Sequence, residues 1–259
     1  MNSGKELQES LTHKWENVWE VVDNEEREKI FEINEEYKAF LDKGKTEREA
    51  AEEIIRLATE NGYISIEELI EKGIKPTPGM KIYANNKNKG VALIVLGKEK
   101  LEKGMHIVGS HLDAPRIDLK QFPLYEDSDL AMLKTHYYGG IKKYQWVTLP
   151  LALHGVVIKE NGEKVNIVIG EDEGDPVFFI TDLLPHLAKD QMTKNMGEGI
   201  TGEGLNILIG SIPYKDDEIS EKVKLNMLKI LNDKYGIKEG DFTTAELEIV
   251  PAGKSRDVG

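Results

Sequence analysis

A histidine and an aspartate two positions apart, His111 and Asp113, follow the apolar residues 105–108 and a Gly-Ser pair. In an extended segment residues i and i+2 point the same way, so the imidazole and the carboxylate would share one side. A neighbouring carboxylate fixes the tautomer of a metal-binding histidine, or orients a base that acts on metal-held water. The pair therefore suits metal-assisted hydrolysis, although a purely structural His-Asp hydrogen bond fits the spacing equally well.

The other histidines have less specific surroundings. His136 precedes a Tyr-Tyr-Gly-Gly loop that could approach a site, whereas His13, His106 and His154 fit packed or exposed positions better than metal ligation. The acidic run GEDEGDP, residues 170–176, is more typical of a solvated turn than of a metal site.

Helices are predicted to precede this segment. Apolar residues recur every three or four positions from Leu7 to Val22, which predicts an amphipathic helix with one buried face. A second helix follows, and capping boxes at Thr46 with Glu49 and at Ser65 with Glu68 predict the starts of two more.

The segments around His111 predict a sheet. KIYANN, VALIVLG and GMHIVGSHLD are predicted strands, and the continuous apolar runs in the last two favour strands covered by helices on both faces. His111 would then lie just past a strand end, where open α/β sheets bind ligands.

The pattern changes to antiparallel β structure from about residue 122. This part of the chain is predicted to contain a hairpin around Asn161-Gly162 and a strand after Gly240, together with helical stretches at 178–192 and 218–235. We therefore expect an α/β layer sandwich interrupted by a β-rich insertion at roughly 116–240.

Composition narrows the possible functions. The 259 residues carry a formal charge of −13, which disfavours nucleic-acid and membrane partners, and contain no cysteine. Any metal would therefore be held by His, Asp and Glu. No signal peptide or membrane span is evident in the sequence, so we expect a cytoplasmic protein.

Four segments together carry a family resemblance. GSHLDAPRIDLKQFPLYED, HYYGGIKKYQW, ITDLLPHLAKDQ and AELEIVPAGKSRDVG resemble, in the same order, segments of the aspartyl aminopeptidase and aminopeptidase I family of dinuclear zinc peptidases. The resemblance covers essentially the whole chain and is closest from about residue 80 onward.

The resemblance implies a fold and a site. The fold would be a zinc-peptidase α/β sandwich, incomplete here, with its first part at 1–115, a β-rich dimerisation domain at 116–240 and a return strand at 241–259. His111 would be a zinc ligand and Asp113 the catalytic carboxylate that orients the machinery without binding metal. His186 would reach from the insertion into a neighbouring subunit's active site to contact substrate.

The implied activity is removal of N-terminal residues from peptides by metal-activated water. It would use two Zn²⁺ ions, or other divalent metals, in a cytoplasmic homo-oligomer built from dimers, up to a dodecamer. The family's remaining metal ligands lie downstream of AGKSRDVG, so we expect the isolated chain to be inactive. An acidic substrate side chain could be met by Arg116, Lys120, Lys142 or Lys143.

Two alternatives remain open. The chain could be a non-catalytic truncated subunit or assembly module of the same fold. It could also be an α/β module that binds a ligand at its strand ends without metal.

Overall fold

The computed structural model describes residues 3–258. Several of the N-terminal helices start at a residue whose side chain caps the helix. The chain divides into two compact units, one ending at Phe40 and the other beginning at Leu41. In the first unit, Ser3 and Glu6 form a capping box at α1 (Gly4–Leu11), and Asn17 caps α2 (Val18–Val21). Most of α3 (Asn24–Lys43) also belongs to this unit.

The long amphipathic helix expected near the N-terminus is replaced by two short ones. Residues 12–17 separate α1 from α2, and within the first unit Leu11 is 75% and Trp15 88% exposed. The expectation of one helix with a buried face was therefore wrong. Helices this short need packing of their apolar face to persist, and in this unit that face stays open to solvent.

The second unit begins with the two helices that the capping boxes predicted. Thr46 and Glu49 cap α4 (Glu47–Glu60), and the Ser65 hydroxyl accepts a hydrogen bond from the Glu68 N–H at the start of α5 (Ile66–Glu71). A three-stranded sheet follows in the order β1-β2-β3, with β1 (Ile64–Ser65) parallel to β2. The antiparallel pair is β2 (Lys81–Asn85) and β3 (Val91–Val95).

The expected strand before His111 is not formed. Residues 104–115 have no regular structure, and Ile107 and Val108 are 78% and 101% exposed. Leu93 and Val95 of β3 are also about half exposed, at 47% and 58%. The prediction of strands covered on both faces was wrong here, because an apolar run becomes a strand only where another strand accepts its backbone hydrogen bonds.

A six-stranded antiparallel sheet dominates the second unit, with the order β7-β6-β9-β4-β5-β8. Its strands are β4 (Arg116–Asp127), β5 (Leu130–Tyr138), β6 (Leu151–Ile158), β7 (Lys164–Ile169), β8 (Ile207–Gly210) and β9 (Ala245–Pro251). The hairpin predicted at Asn161-Gly162 joins β6 to β7. The strand β9 pairs with β4 on one side and β6 on the other.

The two faces of this sheet differ in chemistry because side chains alternate along each strand. Ile117, Leu153, Leu247 and Ile249 lie on one face and belong to the hydrophobic core, together with residues around α8 (Lys222–Tyr235). The opposite face carries charged residues of β4, β6 and β9, which contact the first turn of α4. We call this second surface the polar face of the sheet.

The helix expected at 178–192 is confined to α6 (Lys189–Met192), with α7 (Met196–Gly199) after it. Phe178 exchanges two backbone hydrogen bonds with Leu151, and the Phe179 carbonyl accepts one from the Leu208 N–H. These extended contacts, and Pro185 further on, exclude a helix over the first part of the stretch. No helix within residues 3–258 is both long and apolar enough to cross a membrane.

Candidate metal-binding and catalytic site

His111 lies in the irregular segment before β4 with 81% of its side chain exposed. Its Nδ1 is 2.6 Å from the backbone carbonyl oxygen of Asp113. A carbonyl oxygen can only accept, so Nδ1 carries the proton and donates it. The other ring nitrogen, Nε2, is then the atom through which this histidine could bind a metal ion.

Asp113 is held from the other side by Tyr138, the last residue of β5. The Tyr138 hydroxyl donates a hydrogen bond of 2.9 Å to Oδ2 of Asp113, while Oδ1 lies 3.5 Å from Nδ1 of His111. The hydrogen bond from Tyr138 is the main cause that lowers the pKa of Asp113, and it raises the pKa of Tyr138 itself. Asp113 therefore stays an ionised acceptor between the two rings.

Arg116 is the first residue of β4 and is only 7% exposed. Its guanidinium donates to Glu47 at 3.0 Å and to Asp118 at 2.7 Å, and lies 3.3 Å from Glu248. The same group stacks on the Tyr138 ring, 4.1 Å from the centroid. Arg116 is thus fully engaged inside the protein and is not free to meet an acidic substrate side chain, contrary to the expectation from the sequence.

The remaining predicted site residues lie elsewhere in the fold. His186 is exposed in the turn before α6, and His136 is exposed on β5, where its ring stacks on Tyr137. His106 is exposed in the irregular segment rather than buried in a strand. Of the histidine and aspartate residues predicted to act, the structure brings His111 and Asp113 into contact.

The polar face holds a second cluster that the sequence did not reveal. Carboxylate oxygens of Glu47, Glu246 and Glu248 lie within 4.8 Å of one another, a spacing that could hold a metal ion. Cations of the chain already meet these groups, because Lys89 pairs with Glu47 and Glu246 while Arg116 lies beside Glu248. We therefore interpret the cluster as an ion-pair network.

The two glutamates of β9, Glu246 and Glu248, have pKa values shifted in opposite directions. Glu248 is 2% exposed, and desolvation, together with the charge of Glu47, raises its pKa to about 8. Burial alone would also raise the pKa of Glu246, but hydrogen bonds from Arg48 and Lys89 outweigh it and lower the pKa. At neutral pH Glu248 is therefore mostly protonated and Glu246 is ionised.

His154 of β6 lies next to this cluster and is buried, with 3% exposed. Its Nδ1 is 2.7 Å from Glu49 and its Nε2 3.0 Å from Glu171, which also pairs with Lys45 at 2.6 Å. Glu171 belongs to the acidic run expected to be a solvated turn, an expectation that is wrong for this residue. Its partners are Lys45, just before α4, and His154 of β6, which lie 126 and 17 positions away in sequence, so local composition could not predict them.

The family resemblance implies a zinc ion, and this site offers it one histidine nitrogen. An exposed imidazole whose Nδ1 donates to a backbone carbonyl fits a zinc ligand that binds through Nε2, and Asp113 beside it fits an orienting carboxylate. Within residues 3–258, the one group of three potential ligands that lie close together does not include His111. The described residues thus fit one metal ligand at this site, together with its orienting partner.

The structure defines a mixed α/β protein with two sheets, and comparison with known proteins specifies its class. Residues 40–259 match the model of the aminopeptidase I zinc metalloprotease family (M18). A probable M18 family aminopeptidase 1 from Clostridium acetobutylicum is 54% identical over 249 residues, which cover 96% of this chain and 54% of that protein. The chain therefore belongs to the M18 family of zinc metalloproteases.

Solved structures agree with this assignment. The M18 aminopeptidase of Thermotoga maritima superposes with a TM-score of 0.87 at 42% identity, covering 96% of this chain and 53% of that one. The mApe1 dodecamer of S. cerevisiae shares the fold, with a TM-score of 0.61 at 21% identity over 88% of this chain and 50% of that one. The chain spans about half the length of the relatives it matches.

Proposed function

We propose that this chain supplies the first half of a zinc-dependent aminopeptidase that removes N-terminal residues from peptides. The observation that carries the proposal is the hydrogen bond from His111 Nδ1 to the carbonyl of Asp113, which leaves Nε2 open for a metal ion. Membership of the M18 family supports the reaction class.

In this proposal His111 binds zinc through Nε2, and Asp113 orients the site without binding metal. Two zinc ions, when bound, would supply Lewis-acid activation of water and of the scissile carbonyl. The remaining ligands would come from sequence outside the 259 residues, so the isolated chain would bind zinc weakly and have negligible peptidase activity. The cytoplasmic location expected from the sequence stays a prediction.

The proposed assembly is a homo-oligomer built from dimers through the β-rich segment 116–240, with a peptidase domain formed by 1–115 and 241–259. The exposed side chains of Leu184 and Leu187 flank His186 and support a role for this turn at a subunit contact, since both are more than 65% exposed. His186 would contact substrate in the neighbouring subunit. The yeast relative solved as a dodecamer supports assembly of this kind.

Zinc titration of the 259-residue chain tests the role of His111. His106 is the matched control, because it lies in the same irregular segment and is also exposed. We expect His111→Ala to abolish the weak binding seen by calorimetry and His106→Ala to leave it unchanged. Equal zinc affinity in wild type and His111→Ala would contradict the proposal and favour a metal-independent ligand-binding module.

Turnover of aminoacyl-nitroanilides tests the second part. We expect no measurable hydrolysis by the isolated chain, and turnover that disappears in His111→Ala would refute the proposed incompleteness. The rival hypothesis is a non-catalytic truncated subunit. It would be supported if the gene ended after codon 259, whereas a continuation carrying paired acidic residues and a late histidine would support the enzyme.

A further inference from the structure

Tyr138 connects the irregular segment that holds His111 to the six-stranded sheet. It ends β5 and is paired in register with Arg116, the first residue of β4. Its hydroxyl donates to Asp113 at 2.9 Å. This side-chain hydrogen bond links residues 105–115 to the six-stranded sheet.

The ring of Tyr138 rests on a fixed support. The Arg116 guanidinium lies 4.1 Å from the ring centroid. Glu47, Asp118 and Glu248 surround this guanidinium. A buried arginine that donates to the carboxylates of Glu47 and Asp118 has little freedom to move, because any displacement would leave charges unpaired. The polar face of the sheet thereby fixes where the Tyr138 hydroxyl points.

Asp113 passes this constraint on to His111. Its carboxylate is held by Tyr138, and its own backbone carbonyl accepts the proton of His111 Nδ1 at 2.6 Å. Residues 104–115 lack ladder hydrogen bonds that could hold the backbone in their place. Without the hydroxyl, the Asp113 backbone would sample other conformations and the carbonyl would lose its alignment with Nδ1.

We propose that Tyr138 is a positioning residue of the metal site, which holds Asp113 so that its carbonyl keeps His111 in the tautomer with Nε2 free for metal. The inference rests on the proposed role of His111 as a ligand. It adds a residue from the β-rich segment to the determinants of the site, and it links the site to the buried ion-pair network through Arg116.

The test uses the metal-free 259-residue chain, so it does not depend on zinc affinity. The tautomer of His111 is read from the ¹⁵N chemical shifts of its ring nitrogens at about pH 8, where an unperturbed imidazole is neutral. In wild type we expect Nδ1 in the range of a protonated nitrogen. In Tyr138→Phe we expect it to move towards the range of an unprotonated nitrogen, with Nε2 moving the opposite way.

Tyr137→Phe is the matched control, because it removes the same hydroxyl from the neighbouring residue, which has no bond to Asp113 among the described contacts. It should leave the His111 shifts unchanged. A purely structural role of Tyr138 would lower the melting temperature and leave the tautomer as in wild type, which would overturn the proposal.

A double-mutant comparison strengthens the test. Asp113→Ala should shift the tautomer as Tyr138→Phe does, and combining the two should add nothing, because both remove the same link. Additive shifts would contradict the proposed relay. Unchanged zinc affinity in His111→Ala with a tautomer shift in Tyr138→Phe would refute the metal-site function and leave the relay itself intact.

Discussion

A carboxylate oxygen of Glu49, in the first turn of α4, lies 2.7 Å from Nδ1 of His154 on β6. The opposite nitrogen of the same ring faces Glu171 at 3.0 Å. Only the doubly protonated imidazolium can donate to both carboxylates at once. The contact therefore joins α4 to the sheet most strongly when His154 is charged.

This contact predicts a pH-dependent stability. Burial alone would lower the pKa of His154, but hydrogen bonds and charge from Glu49 and Glu171 outweigh it, so the pKa lies above its ordinary value of 6.5. The stabilisation is complete below pH 6.5 and is lost as the pH rises through the raised pKa. Loss of a charge-assisted hydrogen bond is worth about 1.5–3 kcal/mol.

Urea unfolding of wild type and Glu49→Gln between pH 6 and pH 9 measures this contribution. The difference in free energy of unfolding between the two proteins should be largest at pH 6 and shrink towards pH 9. Glu52→Gln, an exposed change on the same helix, serves as the control and should show no such trend. A difference independent of pH would mean that His154 is neutral in the folded protein.

Substitution of the two glutamates of β9 should change the free energy of unfolding in opposite directions. Glu248 has a pKa raised to about 8, so its contribution to stability falls as the pH rises from about 4.5 to 8 and stays low above that. Each pKa unit between the folded and unfolded states corresponds to about 1.4 kcal/mol of free energy. Glu248→Gln removes the buried charge that forms at high pH, so it should stabilise the protein at pH 9 by on the order of a few kcal/mol. Guanidinium unfolding at pH 6 and pH 9 measures the change.

Glu246→Gln should do the reverse. It removes the carboxylate partner of Arg48 and one of the two carboxylate partners of Lys89, so the free energy of unfolding should fall by about 1–3 kcal/mol at neutral pH. If both substitutions destabilised equally at pH 9, the protonated state assigned to Glu248 would be wrong.

Gly155 on β6 has no room for a side chain. Its φ is +137°, and an added Cβ would lie 2.0 Å from the carbonyl oxygen of Glu246 on the neighbouring strand. Gly155→Ala should therefore lower the free energy of unfolding by at least about 2 kcal/mol, through both the clash and the backbone strain. Gly240→Ala, where the added carbon meets nothing within 4 Å, should be nearly neutral when both are compared by thermal unfolding.

The exposed segment before β4 should accept a charged side chain without loss of stability. Val108 is fully exposed, so Val108→Asp should change the free energy of unfolding by less than about 0.5 kcal/mol. Ile117, nine residues later, is completely buried, and Ile117→Asp should prevent stable folding. Circular dichroism of the two purified variants distinguishes them, and unfolding by Val108→Asp would show that the apolar run is packed in solution.

Local signals predicted some elements well and long-range contacts poorly. The capping residues Thr46 and Ser65 predicted the starts of α4 and α5, and Asn161-Gly162 predicted a hairpin, because each acts through neighbours a few positions away. The apolar run before His111 failed as a strand because its formation depends on partners that its own residues do not encode.

The candidate site shows the same division. The spacing of His111 and Asp113 predicted that imidazole and carboxylate share one side, but the ring bonds to the backbone carbonyl of Asp113, and the nearer carboxylate oxygen lies 3.5 Å away. The roles of the two residues stay predictions. Tyr138 and Arg116 were not predicted to support it, because their contribution depends on the pairing of β4 with β5. The doublet of tyrosines before Gly139-Gly140 was a signal that a strand end lies near, but it did not indicate which hydroxyl points to Asp113.

The position of β9 has a consequence for the order of folding. Residues 245–251 follow all the other strands in sequence, yet they lie between β6 and β4 in the interior of the sheet. The β4-β5 and β6-β7 hairpins can each form early from nearby residues, but the strand that hydrogen-bonds to both β4 and β6 is synthesised last. During synthesis one edge of β4 and one edge of β6 therefore lack their hydrogen-bonding partner until β9 is made, and chaperone protection should matter most in that interval.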